Sequence, residues 1–203
     1  MPEEPTVFIV DDDPSIRRTL PAMIQSAGFR VETFASAEAF LSSYDPDVPG
    51  CVVLDLRMPG MTGLELQEEL RGRGWSIPIL FFSGFGTVNV AVETMRAGAV
   101  TFLEKPVEPE QLITRLREAI RLDTTTRERQ NQKDMADARL AQLSPREREV
   151  LDLVISGKTS GEIAGELGIS EKTVHVHRNH IMKKLRVRRV AELVRLVVGE
   201  QVH

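Results

Sequence analysis

The stretch Thr6-Val7-Phe8-Ile9-Val10-Asp11-Asp12-Asp13 is an apolar run that ends in three carboxylates. A continuous apolar run of this length reads as a strand covered on both faces. Four more candidate strands follow, at Arg30–Phe34, Cys51–Asp55, Ile77–Phe82 and Thr101–Leu103. Helix-like stretches lie near 14–27, 36–43, 63–71, 87–97 and 109–122. Strand then helix, five times over, predicts an α/β fold: a doubly wound, five-stranded parallel sheet with right-handed crossovers.

The 203 residues suffice for one or two domains. With 41% hydrophobic and 28% charged residues, disorder throughout, a collagen-like chain and a disulfide scaffold are excluded. The single cysteine, Cys51, cannot form an internal disulfide and sits in the apolar run Cys51-Val52-Val53-Leu54, so a buried, inert thiol is expected. Residues 1–5 are acidic and lack an apolar signal core, and no stretch approaches the roughly 18 apolar residues of a membrane span. A cytoplasmic location without membrane association is expected.

The net charge of −4 is unevenly spread. Residues 1–122 carry 11 Lys/Arg against 18 Asp/Glu, whereas residues 141–203 carry 11 against 8. An acidic front and a basic end suggest two domains with different partners. Residues 123–134 contain no aliphatic or aromatic side chain, so the segment around them reads as a linker or a solvated helical extension. The expected boundaries are 1–122, a linker over 123–141 and a helical domain over 142–203.

Asp11 and Asp12 follow the first strand, and Asp55 ends the third. Ligands of open parallel sheets bind at the carboxyl ends of strands. The three carboxylates should converge there, and a hard cation such as Mg²⁺ suits a few carboxylates plus waters. Ser83 and Lys105 fall at the ends of the fourth and fifth strands. A nucleophilic carboxylate beside a divalent cation, a lysine and a hydroxyl is a set of parts for phosphoryl transfer to aspartate. Asp13 is placed to cap the helix that begins at Pro14.

Residues 5–122 resemble a response-regulator receiver domain, the CheY-like module. The matching runs are Val10-Asp11-Asp12-Asp13, Leu54-Asp55-Leu56-Arg57-Met58-Pro59-Gly60-Met61-Thr62-Gly63, Phe82-Ser83-Gly84 and Phe102-Leu103-Glu104-Lys105-Pro106. The resemblance implies that Asp55 accepts the phosphoryl group. It implies that Asp12, Asp55 and the backbone carbonyl of Arg57 hold Mg²⁺ or Mn²⁺, with Asp11 helping directly or through water. Ser83 would be the switch hydroxyl, Lys105 the phosphate-contacting lysine and Phe102 the switch aromatic. Lys105-Pro106 would be a cis peptide. Two departures stand out: Gly84 and Phe85 follow the switch hydroxyl, leaving Phe85 to cover the site in part, and Phe102 lacks a tyrosine's hydroxyl.

From Leu143 the pattern turns all-helical. Ser144-Pro145-Arg146-Glu147 supplies an N-cap, a proline at the first helical position and an acid at the third. A second helix covers about 160–167 and stops at Gly168, Ser170 caps a third that runs to Leu185, and a fourth spans about 188–198. Helix, glycine turn, helix is the helix-turn-helix pattern. At about 100° per residue, His177, Ile181 and Leu185 share the inward side of the third helix with Val174. Lys172, His175, Val176, Asn179 and Lys183 fall on the outer side, with groups that suit phosphates, base edges and thymine methyls. A zinc site built on His175, His177 and His180 is disfavoured, because the first two point apart and no third ligand joins them.

Residues 142–199 resemble the LuxR-type C-terminal domain, through Leu143-Ser144-Pro145-Arg146-Glu147-Arg148-Glu149-Val150-Leu151, Gly168 to Arg178 and Ile181-Met182-Lys183-Lys184-Leu185. This implies that Lys172 and Thr173 touch phosphates, that His175, Val176 and Asn179 face bases, and that the last helix pairs two such domains. Together the resemblances imply a FixJ-type response regulator. A sensor histidine kinase would phosphorylate Asp55. The chain, a monomer otherwise, would then form a homodimer and bind double-stranded promoter DNA, with RNA polymerase a further partner. Enzymatic activity would be limited to self-phosphorylation from a donor and slow loss of the phosphoryl group. Two rivals remain on the residues alone. An aspartyl phosphatase would need a second Asp two residues after Asp55, where Arg57 stands. A constitutive DNA-binding protein would have no use for the acidic pocket.

Overall fold

A computed structural model describes residues 4–84 and 88–198. Its residues fall into two units, 1–127 and 128–203. In the first, strands β1 (Thr6–Val10), β2 (Arg30–Phe34), β3 (Gly50–Leu54), β4 (Ile79–Ser83) and β5 (Thr101–Glu104) form one sheet. All pairings are parallel and the order is β2-β1-β3-β4-β5. Helices α1 (Pro14–Ser26), α2 (Ala37–Ser43), α3 (Gly63–Gly72), α4 (Val88–Arg96) and α5 (Pro109–Leu140) follow the strands in turn. The expected five-stranded α/β architecture is thus present.

Successive strand residues point to opposite faces, so the apolar runs feed two cores. Val7, Ile9, Cys51, Val53, Leu80, Phe82 and Leu103 pack with Leu20 and Ile24 of α1 and with Leu112 and Leu116 of α5. Phe8, Val10, Val52, Leu54 and Phe81 pack on the other face with Phe40, Tyr44, Leu66 and Leu70. Full burial of such side chains contributes about 1.5–3 kcal/mol each. Cys51 is fully buried, and burial pushes its thiol pKa up, as an inert core cysteine requires.

Five strand boundaries shift by one or two residues from their expected places; β5, for one, ends at Glu104 rather than Leu103. β4 begins at Ile79, because Pro78 has no N–H for the ladder, although its carbonyl accepts from Val52 at 2.9 Å. Ser83 becomes the last residue of β4 rather than its follower. β3 runs Gly50–Leu54, and Asp55 stands one residue beyond it.

The segment after residue 122 takes the helical of its two expected forms. α5 continues without a break to Leu140, so the expected boundary at 122/123 lies inside a helix. Asp123 is only 1% exposed. Its Oδ2 accepts from the Gly50 N–H at 2.9 Å and from Arg127 Nε at 2.8 Å. Arg127 in turn donates to the carbonyls of Pro46 at 2.7 Å and Val48 at 3.1 Å. A polar latch therefore ties the start of the presumed linker to the loop before β3. Apolar periodicity is blind to it; the i, i+4 Asp–Arg spacing was the available signal.

The second unit contains α6 (Pro145–Ile155), α7 (Ser160–Leu167), α8 (Glu171–Leu185) and α9 (Val190–Val198) around Val150, Leu151, Ile163, Val174, Ile181, Leu185 and Leu193. Ser144 with Glu147, and Thr159 with Glu162, form reciprocal capping boxes that satisfy the first N–H groups of α6 and α7. The second box was not anticipated. Among the described residues no helix is long and apolar enough to cross a membrane.

Removal of the Asp123 carboxylate leaves the buried Gly50 N–H without an acceptor. Asp123→Ala should lower the stability of the first unit by about 1–3 kcal/mol in denaturant unfolding. Asp134→Ala, which loses only an exposed contact with Gln130, should change nothing measurable.

Candidate functional site

The ends of β1 and β3 are neighbours in the sheet, with Val10 opposite Leu54. The residues that follow each strand, Asp11 and Asp55, therefore emerge side by side. Both are buried, at 2% and 6% exposure. β5 pairs with β4, with Ser83 opposite Glu104, and so delivers Lys105 to the same edge. Lys105 Nζ lies 2.6 Å from Asp11 Oδ2 and 2.8 Å from Asp55 Oδ1. The Lys105–Pro106 peptide is cis.

The remaining oxygens are held by the backbone. Asp11 Oδ1 accepts from the Asp13 N–H at 2.8 Å, and Asp55 Oδ2 accepts from the Arg57 N–H at 2.7 Å. Arg17 clamps the Asp11 carbonyl at 2.7 Å. Asp13 caps α1 through the Ser15 N–H, as expected. Gly63 opens α3 with no room for a side chain: a Cβ there would stand 2.3 Å from the Asp55 carbonyl oxygen. That close approach holds the loop after β3 against the helix.

Burial raises the pKa of Asp11, although the Lys105 hydrogen bond pulls the other way. For Lys105, burial disfavours the ammonium, but the hydrogen bonds and charges of Asp11 and Asp55 outweigh it, and its pKa is raised. One ammonium thus serves two buried carboxylates, leaving an excess of negative charge.

Asp12 does not join them. It is exposed, and among the described residues no three Asp, Glu, His or Cys side chains surround one point. The expected three-way convergence is replaced by a pair bridged by Lys105, whose charge relieves the repulsion that a cation was expected to relieve. The donor set still fits a hard divalent cation: two buried carboxylates, a third on the adjoining loop and the Arg57 carbonyl are all oxygen ligands. Ser83 is buried at the end of β4, and its carbonyl accepts from the Lys105 N–H at 3.1 Å. Phe102 is half-buried and stacks on Phe81, with ring centroids 6.3 Å apart. Phe85, expected to cover part of the site, lies outside the described residues.

In the helical unit, Gly168 (φ +64°) ends α7 and Ser170 caps α8 through the Thr173 N–H at 3.1 Å. Lys172, Val176, Asn179 and Lys183 are exposed on α8. Thr173 is half-buried, its hydroxyl 2.8 Å from that of Ser170. His175 is exposed but stands at the shoulder of the helix rather than opposite the core. With Asn179 it rims a groove of about 300 Å³ floored by Val154, Ile181, Met182 and Leu193. His177 is half-buried, and His180 is exposed with Nδ1 3.9 Å from Glu147 Oε1.

Sequence reasoning took Glu147 for a capping residue only. It also fixes α8: its Oε2 accepts from Lys184 Nζ at 2.6 Å and from the Ser144 N–H at 2.8 Å. The Lys184 hydrogen bond, opposed by burial and helped by Ser144, holds the Glu147 pKa down at about 2.

Comparison with known proteins agrees with this two-part reading. Residues 7–117 match the response regulator receiver domain family, and residues 141–197 match the bacterial regulatory proteins of the luxR family. The chain is 42% identical over 190 residues to Nodulation protein W of Bradyrhizobium diazoefficiens, covering 94% of this chain and 84% of that one. It is 41% identical over 193 residues to the transcriptional regulatory protein FixJ of the same species, covering 95% and 94%. Among solved structures, the response regulator StyR superposes with a TM-score of 0.90 at 46% identity, over 97% of this chain and 99% of that one.

Because the Glu147 pKa lies below the ordinary value of 4.5, its ion pair stabilises the helical unit fully above that pH. That stability should drain away as pH falls from about 4.5 toward about 2. Glu147→Gln should melt at lower temperature than wild type at pH 7, and the gap should close across this window in calorimetry.

Proposed function

The chain belongs to the two-component response regulators that join a receiver domain to a LuxR-type DNA-binding domain, and from this membership we propose that phosphorylation of Asp55 switches its grip on promoter DNA. The observation that carries the proposal is the Lys105 ammonium bridging Asp11 and Asp55 at the carboxyl edge of the sheet. A carboxylate there is buried enough to be shielded from water and lies within hydrogen-bond reach of an ammonium and a backbone N–H.

The donor is a sensor histidine kinase. An Asp55 oxygen bonds to phosphorus as the P–N bond of the kinase's phosphohistidine breaks, and the histidine nitrogen keeps the electron pair and takes a proton. Asp11, Asp12, Asp55 and the Arg57 carbonyl would hold Mg²⁺ or Mn²⁺, which when bound neutralises charge on the phosphoryl oxygens. Lys105 trades part of its carboxylate pairing for the phosphoryl group. The buried Ser83 hydroxyl donates to a phosphoryl oxygen, and Phe102 turns further inward along Phe81. Self-phosphorylation from a small acyl phosphate and slow autodephosphorylation follow from the same parts, which make a timer rather than an enzyme for external substrates.

The output is dimerisation and DNA binding. α4 carries Val88, Val92 and Met95 on one side, 81%, 43% and 45% exposed, and this apolar strip beside β5 suits a face that pairs two receivers. Two helix-turn-helix units then read two half-sites about one DNA turn apart. Lys172, Thr173 and Lys183 are assigned to phosphates, and Val176, Asn179 and His175 to base edges. The kinase and the promoter place this activity in the cytoplasm, with RNA polymerase as the downstream partner.

The test is the mass, oligomeric state and promoter affinity of wild type and Asp55→Ala, with Mg²⁺ and an acyl-phosphate donor. Wild type should gain one phosphoryl group, become a dimer and bind DNA at least tenfold more tightly; Asp55→Ala should do none of these. A phosphorylated wild type with unchanged mass distribution and affinity would overturn the switch.

A further inference from the structure

We infer that Arg186, at the carboxyl end of α8, is a contact to the DNA backbone for which this helix accepts a strained terminus. The inference rests on the DNA-binding reading above.

Among the described residues, six helices end with the same hydrogen bond, in which the N–H two residues past the last helical turn reaches back five residues. The pairs are Phe29 to Ile24, Trp75 to Leu70, Ala99 to Thr94, Lys158 to Leu153, Ile169 to Ala164 and Val187 to Met182, at 2.9–3.4 Å. Such an ending requires the residue just before the donor to adopt a left-handed backbone. Five of the six place glycine there: Gly28, Gly74, Gly98, Gly157 and Gly168, all with positive φ. The sixth places Arg186, with φ +54°, and it is the only non-glycine residue of positive φ among the described residues.

Space does not explain the five glycines. A Cβ added to any of them would meet nothing within 4 Å. Their shared requirement is the backbone angle, which disfavours every residue that carries a Cβ. The same penalty falls on Arg186, and nothing inside the fold repays it. Its side chain is exposed, and among the described residues it has no hydrogen bond or ion pair. Helices that end this way could all have used glycine, yet the recognition helix does not.

The surroundings identify the chemistry that would repay the strain. Lys183, Arg188 and Arg189 are exposed and, with Arg186, put four cations within seven residues. No acidic residue lies between 183 and 189. The nearest in sequence, Glu192, accepts from the Arg188 N–H at 2.8 Å. Lys184, the fifth cation of this stretch, turns the other way, to Glu147. A guanidinium offers paired donors that match phosphate oxygens, and its charge displaces a condensed counterion from the duplex. A cation at a helix carboxyl end is also favoured by the helix dipole, so the experiment must separate a cap from a contact.

Full-length wild type, Arg186→Gly and Arg186→Lys are each titrated against a fluorescent mixed-sequence DNA duplex at several salt concentrations, and each is melted. Arg186→Gly should melt at a higher temperature than wild type. It should nevertheless bind about fivefold more weakly near 0.15 M salt, with a slope of log affinity against log salt smaller by about one. Arg186→Lys should keep the wild-type slope. Wild-type affinity and slope in Arg186→Gly would overturn the inference. A lower melting temperature with an unchanged slope would also overturn it and make Arg186 a helix cap. A wild type that fails to bind the duplex even at low salt would instead remove the DNA-binding reading itself.

Discussion

The Lys105 ammonium between Asp11 and Asp55 is the constraint around which the first unit is organised. Two buried carboxylates cannot stay ionised side by side without compensation. The compensating group comes from the end of β5, two strands away from β3 in the sheet. It reaches the pair only because β4 pairs with both β3 and β5 in parallel register. A slip of one residue in any strand would turn every core side chain to the wrong face, so packing of the two cores also fixes the site. The glycine-only start of α3 presses on the Asp55 carbonyl and completes the frame.

That frame is fully buried at one end and partly exposed at the other. β1 and β3 are buried at every residue, whereas Thr101 and Phe102 of β5 are only partly covered. Phe102 stacks on Phe81, a fully buried core residue, and sits on the strand that carries Lys105. On the proposed reading, a change in what Lys105 bonds would act beside a partly exposed aromatic ring. The apolar strip on α4 lies next in the sequence before β5, so a local charge event has a short route to an exposed surface.

The sheet, its helices and the positions of Asp11, Asp55, Ser83 and Lys105 were legible in the sequence, because apolar runs punctuated by carboxylates mark strand ends directly. What escaped was set by side-chain direction and by polar packing. Asp12 follows Asp11 in the chain, but its side chain is exposed whereas Asp11 is buried beside Asp55. Asp123 was read as linker because its neighbours are polar, yet it is buried by a contact to Gly50, 73 residues earlier in the chain. His175, expected on the outer face, is exposed there, and with Asn179 it also rims the groove beside Leu193, which periodicity does not report. Periodicity reports faces of a helix; it does not report which cation reaches across from another element.

The four buried carboxylates among the described residues show how charge balance separates chemistry from architecture. Asp123 faces one guanidinium, Arg127, and Glu147 faces one ammonium, Lys184. Each of these pairs is neutral, and each pins one element to another: the middle of the long α5 to the loop before β3, and α8 to α6. Asp11 and Asp55 share a single cation, so their cluster alone is left with net negative charge. In a neutral pair, an added cation or phosphoryl group would have to break an existing contact without gain. In the Asp11–Asp55 cluster the surplus charge favours binding of a hard cation. Transfer of a phosphoryl group to Asp55, as proposed, would form an acyl phosphate and leave Lys105 free to follow the new charge. What sets the Asp11–Asp55 cluster apart is therefore not burial, which all four share, but burial with incomplete compensation.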